Sequence, residues 1–427
     1  MGRSLPKSGQ CVRRQQNSVN AAAQHKTSDR EYSDMTPLGL YLHIPFCVHK
    51  CAYCDFVSYA GRESSIQEYI TALQQEIEWY YQHNILEKFQ FFTLYIGGGT
   101  PSLATHELLS FLEAYYSRLG LQPDNEITIE VNPGTIRFPQ FRQLRQTGIN
   151  RVSIGVQSFR DRELRQLGRI HSAETAVSCF RAARNAGFQN ISLDLMFGLP
   201  DSHPLHWEEN LQQAISLRPE HISLYDLTIE EGTLFWQQQQ RGTLVLPDEE
   251  TQLNLYQTGC QLLIQAGYEQ YEISNFALPG YRSRHNQIYW RNEDYIGLGA
   301  GAHSYLRGCR YWNTPILDDY MSRSEQMTFS QKGALEHVYP LTVEGHECLD
   351  KKNTIGETTM MNLRILDGMD LHRFHQRFGQ AFETVYQETF GKLHALGLLE
   401  ITEDRLRLTP RGILLSNEVF REFVHPN

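Results

Sequence analysis

Runs of aliphatic and β-branched residues alternate, over the first two thirds of the chain, with segments in which apolar residues recur every three or four positions. The apolar runs are residues 40–44, 93–96, 127–131, 152–156, 191–196 and 222–227. The segments with helical spacing are residues 65–83, 106–119, 140–147, 173–186, 207–217 and 249–265. A strand followed by a helix, repeated six times, predicts an α/β fold with parallel strands and outer helices. A full barrel, a partial barrel and an open sheet all fit this pattern, and each would gather functional groups at the carboxyl ends of the strands.

The alternation stops near residue 266. Residues 267–345 are rich in Tyr, Gly and Arg, and residues 371–399 have helical spacing with a break near Gly379. A short strand, a turn at Glu403 and Asp404, a second strand and a helix then follow, which is the order of a winged-helix module. We therefore predict four regions: a disordered polar extension (1–36), an α/β core (37–266), an extension of that core (267–345) and a mostly helical, winged-helix-like module (346–427).

Composition and charge exclude several classes of function. The 427-residue chain has a formal net charge of −10, and the arginines near its carboxyl end are mixed with acids, so we expect no nucleic-acid partner. The sequence contains no apolar run of about 18 residues, so we expect no transmembrane segment. Residues 1–36 lack the apolar region of a secretory signal, and the cysteines do not have the pattern of a disulfide scaffold. We therefore expect a cytoplasmic protein.

Three cysteines lie within eight residues of the segment "YLHIPFCVHKCAYCDF": Cys47, Cys51 and Cys54. Their spacing is C-x3-C-x2-C, without the second C-x2-C pair of most zinc sites or the further Cys-Pro of a bacterial ferredoxin. Three thiolates can hold three irons of a [4Fe–4S] cluster and leave the fourth iron open to a ligand. On spacing alone, three structural cysteines or an incomplete zinc site remain alternatives.

Polar residues follow several of the apolar runs at the point where each predicted strand ends. Gly98 and Gly99 in "LYIGGGTPS" could form a tight turn or a loop that approaches a ligand closely. Glu130 ends the next run, and Gln157 ends the run after it. Asp194 lies inside an apolar strand, where an acid needs a partner. Since parallel strands end at the same rim, these side chains are expected to surround one ligand.

The cysteine motif with its flanks "YLHIPFC" and "CDF" resembles the radical S-adenosylmethionine (SAM) superfamily, and the resemblance extends over about residues 37–345. It implies a partial (β/α)6 barrel, a [4Fe–4S] cluster on Cys47, Cys51 and Cys54, and SAM bound to the open iron. The SAM contacts that it implies are Tyr41, Tyr53, Gly98, Gly99, Thr100, Glu130, Gln157, Arg169, Asp194, Thr228 and His303. His303 could instead face a substrate, and it is the next candidate for a heme ligand after His285.

More narrowly, the chain is similar to the oxygen-independent coproporphyrinogen III oxidase family. The oxidases carry C-x3-C-x2-C-x-C, whereas Phe56 stands at the last position here, as in the heme chaperone branch, HemW. The resemblance implies a chaperone that holds heme and passes it to an acceptor protein. The alternatives are the oxidase itself, which decarboxylates coproporphyrinogen III, and another radical enzyme that acts on a tetrapyrrole. Phe56 argues against the oxidase, and the oligomeric state stays open, with a homodimer as one option.

The segment "RHNQIYW" fits the HNxxYW pattern of that branch. It places the imidazole of His285 near the flat rings of Tyr289 and Trp290, a combination that suits heme, although the same residues could simply pack a core edge. Cys309 and Cys348 fall in less regular segments, and a role for either as a heme thiolate is left open. Cys179 and Cys260 lie in helical patterns and are expected to be small apolar groups.

Overall fold

A computed structural model describes residues 36–86, 89–327 and 339–424. Within these ranges the largest sheet has twelve strands. They are β1 (Thr36–Ile44), β2 (Phe89–Gly98), β3 (Glu126–Val131), β4 (Arg151–Gln157), β5 (Ile191–Phe197), β6 (His221–Asp226), β7 (Glu269–Gln270), β8 (Asn275–Ala277), β9 (Tyr295–Leu298), β10 (His303–Leu306), β11 (Cys309–Asn313) and β12 (Val343–Cys348). The predicted disordered extension lies outside the described residues, apart from Thr36.

The strands β1 to β6 are neighbours in chain order, and each pairs in parallel with the next. This confirms the predicted parallel α/β core. Beyond β1 the sheet continues with β9, which is parallel to β1, and then with β10, β11 and β12 in antiparallel order. Beyond β6 it ends in the antiparallel strands β8 and β7. The order of the strands leaves two free edges, so the sheet is not a closed barrel, and its six consecutive parallel strands agree with the predicted partial (β/α)6 barrel.

Helices follow the core strands as the periodicity predicts. The helices of the core and its extension are α1 (Ile66–Gln82), α2 (Thr105–Tyr115), α3 (Phe138–Gln146), α4 (Asp161–Gln166), α5 (Ala173–Asn185), α6 (Pro204–Leu217), α7 (Leu234–Gln240), α8 (Glu249–Gln265), α9 (Arg284–Trp290) and α10 (Leu317–Met327). Several begin at a side-chain cap: Ser172 accepts from the backbone N–H of Thr175 at the start of α5, and Asp248 accepts from that of Thr251 at the start of α8. Short 3-10 turns occupy Glu63–Ser65 and Pro101–Ala104.

Each core strand has an apolar side and a polar side because its side chains alternate. In β4, Val152, Ile154 and Val156 are fully buried in the main hydrophobic core, whereas the alternate positions include Arg151 and Ser153. The apolar side is covered by the outer helices, so the polar side chains face the interior of the barrel. This alternation supplies polar groups to the site described below.

The last part of the chain forms a second core around a small sheet. Its helices are α11 (Lys351–Asn362), α12 (Leu371–Phe378), α13 (Phe382–Ala395), α14 (Pro410–Leu414) and α15 (Ser416–Arg421), and its strands are β13 (Met369–Asp370), β14 (Leu399–Thr402) and β15 (Arg405–Leu408). The predicted break is present, because Gly379 ends α12 with a φ of 68°. Glu403 and Asp404 form the predicted turn with φ values of 51° and 61°. The boundaries predicted at residues 266 and 346 stay predictions.

One expectation about the cysteines is wrong. Cys309 and Cys348 lie opposite each other on the paired strands β11 and β12 and form a disulfide, rather than two single cysteines in irregular segments. Their separation of 39 positions hides this pairing in the sequence. Among the described residues, none of the helices combines the length and the apolar character needed to cross a membrane.

A buried carboxylate fastens helix α1 to the extension of the core. Glu76 is fully buried and accepts hydrogen bonds from Tyr320 Oη (2.6 Å), Asn313 Nδ2 (2.7 Å), the backbone N–H of Gly299 (3.0 Å) and Thr342 Oγ1 (3.2 Å). Burial nevertheless raises the pKa of Glu76 from 4.5 to about 7. The protonated form is therefore favoured in the folded chain more than in the unfolded chain.

We expect the stabilising effect of Glu76 to weaken as the pH rises, because its folded pKa lies above its unfolded pKa. The free energy of unfolding should fall between about pH 5.5 and about pH 8 by on the order of 1–2 kcal/mol from this group. In Glu76→Gln this part of the pH dependence should disappear, since an amide does not titrate. Urea unfolding at both pH values measures the effect, with Glu68→Gln on the exposed side of the same helix as the control. An unchanged pH dependence in Glu76→Gln would contradict the assignment.

Candidate functional site

A cavity of about 300 Å³ lies at the carboxyl ends of the parallel strands, and we call it the cysteine cavity. Cys47, Cys51 and Cys54 line it together with Phe56. Eight of the residues expected to contact SAM also line it: Tyr53, Gly98, Gly99, Thr100, Glu130, Gln157, Arg169 and Asp194. The structure thus brings together residues that are spread over about a third of the chain.

The loop that carries the cysteines is fixed at its centre by its backbone. The N–H of Ala52 donates to the carbonyl of Leu167 (3.0 Å), and the carbonyl of Ala52 accepts from the N–H of Phe235 (2.9 Å).

Cys47 is buried and Cys54 is half-buried, and burial raises the pKa of both thiols, that of Cys54 to about 11. Among the described residues, no His, Cys, Asp and Glu side chains are grouped to hold a single metal ion. A cubane cluster does not require such a group, because each iron that the protein ligates takes a single thiolate.

A chain of hydrogen bonds connects two of the three sulfur atoms. Thr100 Oγ1 donates to Cys47 Sγ (3.5 Å), and Asn132 Nδ2 donates to Thr100 Oγ1 (2.9 Å). Arg169 donates from Nη2 to Asn132 Oδ1 (2.5 Å) and from Nη1 to Cys51 Sγ (3.6 Å). Hydrogen bonds and a nearby cation both stabilise thiolate sulfur. Sequence reasoning missed Asn132, although it stands two positions after Glu130 at the end of the same strand.

The glycine turn after β2 exists because the chain passes close to the cysteine loop. A Cβ atom on Gly99 would lie 2.8 Å from the carbonyl oxygen of Phe46 and 3.0 Å from Cys47 Sγ. Gly98 has a φ of 117°, and a Cβ atom there would lie 2.7 Å from the ring of His43. Both positions therefore need glycine, one for space and the other also for its backbone conformation.

Two carboxylates line the cavity and keep acceptor capacity towards it. Glu130 accepts from Tyr95 Oη (2.8 Å) and from the N–H of Gly98 (3.0 Å), and burial raises its pKa to about 7. Asp194 accepts from Ser153 Oγ (3.0 Å), and burial raises its pKa as well. Acids in such surroundings favour a ligand that brings positive charge or hydroxyl donors.

Two further polar groups of the cavity lack partners within the described residues. Gln157 Oε1 and Arg169 Nε are buried and make no hydrogen bond there. Gln157 also has a φ of 65°, and the pairing of β4 with β5 shifts register between Gly155 and Gln157. Unpartnered buried groups and an unfavourable backbone conformation are typical of ligand sites. The cavity therefore fits a polar ligand beside the cysteines.

Three residues expected at SAM lie outside the cysteine cavity. Thr228 is exposed after the end of β6, while Tyr225 at the end of that strand lines the cavity instead. Tyr41 and His303 line a second cavity, on the far side of Tyr95. The Tyr41 ring stacks on Tyr95 with centroids 6.2 Å apart, and its hydroxyl bonds to His43 Nδ1 (2.9 Å).

The second cavity has a volume of about 550 Å³, and we call it the aromatic cavity. Aromatic rings form much of its wall: those of Tyr41, Tyr289, Trp290, Tyr295 and Tyr305, with the imidazole of His303. The ion pair between Arg310 and Glu357 also lines it. Its volume lies within the range of about 300–1,000 Å³ that is common for sites of small molecules and cofactors.

The HNxxYW segment forms helix α9, and some of its side chains line the aromatic cavity whereas others are buried in the core. Tyr289 and Trp290 line the aromatic cavity, as their expected role requires, but His285 lies behind them and is 1% exposed. Both ring nitrogens of His285 have partners, since Nδ1 bonds to Thr93 Oγ1 (2.7 Å) and Nε2 bonds to Tyr289 Oη (2.8 Å). Burial lowers the pKa of His285 to about 3, so its ring is neutral.

Comparison with known proteins identifies the superfamily to which the chain belongs. Residues 41–214 match the family model of the radical SAM superfamily, and residues 349–415 match that of the HemN C-terminal domain. The structure of coproporphyrinogen III oxidase (HemN) from Escherichia coli superposes with a TM-score of 0.77 at 24% identity, covering 91% of this chain and 90% of that one. That likeness establishes a shared fold. Membership of the radical SAM superfamily implies a [4Fe–4S] cluster and SAM.

Two curated relatives narrow the family. The chain is 36% identical over 390 residues to the heme chaperone HemW of Bacillus subtilis, covering 90% of this chain and 98% of the relative. It is 42% identical over 395 residues to the heme chaperone HemW of Haemophilus influenzae, covering 91% and 98%. The chain belongs to the heme chaperone HemW family.

We expect Gly99→Ala to destabilise the protein by about 1–3 kcal/mol, because the added methyl group would force the cysteine loop away from the glycine turn. Urea unfolding measures the loss, and faster alkylation of Cys47 should accompany it. Gly391→Ala is the matched control, because its Cβ position on helix α13 has no described atom within 4 Å other than its chain neighbours and the backbone of its own helix. Equal stability of Gly99→Ala and the unchanged protein would contradict the close approach.

Proposed function

We propose that the cysteine cavity holds a [4Fe–4S] cluster on Cys47, Cys51 and Cys54, with SAM beside it. When bound, the cluster can supply the electron that cleaves the sulfonium bond of SAM. The hydrogen bonds that Thr100 and Arg169 donate to sulfur would stabilise the thiolates. This proposal is supported by the position of the three thiols beside a cavity that contains unpartnered polar atoms.

The residues around SAM have distinct roles in this proposal. Glu130 and Asp194 would accept hydrogen bonds from the amine and hydroxyl groups of SAM. Gln157 Oε1 and Arg169 Nε, which lack partners among the described residues, would complete the polar contacts. Thr228 lies outside the cysteine cavity and has no contact with SAM in this proposal. Tyr41 would act indirectly, because its ring stacks on Tyr95 and the hydroxyl of Tyr95 donates a hydrogen bond to Glu130.

We propose that heme is the second ligand and that it binds in the aromatic cavity. The observation that carries this proposal is the meeting of Tyr289 and Trp290 with other aromatic rings and an exposed imidazole in one cavity of about 550 Å³. Flat aromatic walls and a histidine suit an iron porphyrin. The names of the curated relatives agree with this ligand.

The protein would accordingly hold heme in the cytoplasm and transfer it to an acceptor protein. A chaperone needs reversible binding and breaks no bond of the porphyrin. Phe56 takes the place of the additional cysteine of the oxidases and is 60% exposed at the cysteine cavity. The acceptor is a protein of unspecified identity, and a homodimer stays a prediction of the sequence.

The cluster assignment predicts that Cys47→Ala, Cys51→Ala and Cys54→Ala each lose most of the iron and sulfide, about four of each per chain, that anaerobic reconstitution should yield. Cys260→Ala should retain both, since this half-buried thiol lies on helix α8. Iron and sulfide analysis with electronic absorption measures the outcome. Full iron content in Cys51→Ala would refute the assignment.

The chaperone assignment predicts that the reconstituted protein binds heme with a Soret band and does not convert coproporphyrinogen III when SAM and a reductant are supplied. Heme titration and product analysis by chromatography should use the same sample, so that a lost cluster cannot explain missing turnover. Turnover to protoporphyrinogen IX would instead establish the oxidase. A chain that binds neither heme nor coproporphyrinogen would refute both.

A further inference from the structure

The imidazoles at the aromatic cavity differ in whether a ring nitrogen is free. In His43, which lines the cavity, Nε2 donates to the carbonyl of Val57 (2.7 Å) and Nδ1 bonds to the hydroxyl of Tyr41 (2.9 Å). His285 behind the wall uses both nitrogens, on Thr93 and Tyr289. Neither ring can bind a metal ion unless it breaks an existing hydrogen bond.

His303 has the arrangement that iron ligation requires. It is exposed at the start of β10, and its Nδ1 bonds to the carbonyl of Gly301 (3.2 Å). Because a carbonyl can only accept, Nδ1 carries the proton and the lone pair is on Nε2. Nε2 has no hydrogen-bond partner within the described residues. Histidines that bind metals commonly donate their other ring nitrogen to a backbone carbonyl in this way.

The orientation of the His303 ring is also fixed. It stacks on Trp312 with centroids 5.9 Å apart and an angle of 24° between the planes. Desolvation lowers the pKa of His303, so the neutral ring that can donate a lone pair is favoured. A ring that is held by a stack and by one hydrogen bond loses little further freedom when it binds iron.

An independent observation indicates that the aromatic cavity receives a ligand. Three of its lining residues carry buried polar atoms without a hydrogen-bond partner among the described residues: Trp290 Nε1, Tyr305 Oη and Glu357 Oε2. Buried polar groups are rarely left unpaired in folded proteins. Trp290 can only donate, so its partner must be an acceptor, such as a carboxylate at the edge of a porphyrin.

We propose that Nε2 of His303 is the axial ligand of the iron of a heme in the aromatic cavity, and that His285 is a positioning residue which orients Tyr289. This inference rests on the proposed heme-binding function. It places His303 at heme, where the sequence left it open between SAM and a substrate, and it moves the iron ligand from His285 to His303.

The test uses the full-length, cluster-loaded protein and difference spectra against the same sample without heme, because the cluster also absorbs near the Soret band. His303→Ala should weaken heme binding at least about tenfold and shift the Soret band, since one coordination bond is lost. Added imidazole should restore the spectrum of the unchanged protein. Metal-free protoporphyrin, measured by fluorescence, should bind His303→Ala within about twofold of the unchanged protein, because it has no iron to ligate.

The positioning role predicts a different result for His285→Ala. It should weaken heme and metal-free protoporphyrin together, because Tyr289 loses its hydrogen-bond partner, while the spectrum of bound heme keeps its histidine signature. His106→Ala, an exposed histidine on helix α2, is the matched control and should change neither.

An unchanged heme spectrum in His303→Ala would overturn the inference about His303. The proposed binding of heme in the aromatic cavity would not be contradicted by that result. Loss of the histidine signature in His285→Ala, with rescue by imidazole, would restore the sequence-based assignment. If the unchanged protein binds no heme, the proposed function itself fails, and that result is distinguishable because it appears before any substitution is made.

Discussion

The hydrogen-bonded chain from Cys47 through Thr100, Asn132 and Arg169 to Cys51 is the constraint on which the site depends. It joins the cysteine loop to the ends of β2 and β3 and to the segment after α4. A guanidinium removed from water needs hydrogen-bond acceptors, and Arg169 finds them in Asn132 Oδ1, the carbonyl of Gly155 and a sulfur atom. Its position therefore follows from the parallel sheet, which brings these strand ends to one rim. The thiols of Cys47 and Cys51 in turn meet hydrogen-bond donors at fixed places.

A layer of rings separates the two cavities and contacts both. Tyr95 donates to Glu130 at the cysteine cavity and stacks on His285 with centroids 5.1 Å apart. Tyr41 also stacks on the Tyr95 ring and lines the aromatic cavity. The proposed SAM and heme sites are thus neighbours across a single layer of side chains. Buried tyrosines in that layer stay protonated, since burial raises the pKa values of Tyr41 and Tyr95.

The last module, whose sequence has the order of a winged helix, contributes to the second cavity. Helix α11 supplies Glu357 and Met361 to its wall, and Asn292 Nδ2 after α9 donates to Thr358 Oγ1 on the same helix (3.0 Å). Arg310 on β11 pairs with Glu347 on β12 and with Glu357 on α11, so the extension and the module share one ion-pair network. The net charge of −10 for the whole chain and the acids beside the arginines of this module lead us to expect no nucleic-acid partner.

The sequence by itself determined whatever depends on local pattern: the six parallel strands and their helices, the break at Gly379, the turn at Glu403 and Asp404, and the grouping of Cys47, Cys51 and Cys54. Eight of the eleven SAM residues expected from the family resemblance do line the cysteine cavity, because motifs at strand ends must meet at one rim of a parallel sheet. Only the tertiary structure decided features that depend on contacts between distant segments. It paired Cys309 with Cys348, added β9 as a further parallel strand and brought Asn132 to Arg169. It also distinguished the two histidines, because among the described residues both ring nitrogens of His285 make hydrogen bonds whereas only Nδ1 of His303 does. The physical reason is that residue type sets what a side chain can bind, whereas burial and hydrogen-bond partners, which come from elsewhere in the chain, set which of its atoms remain free.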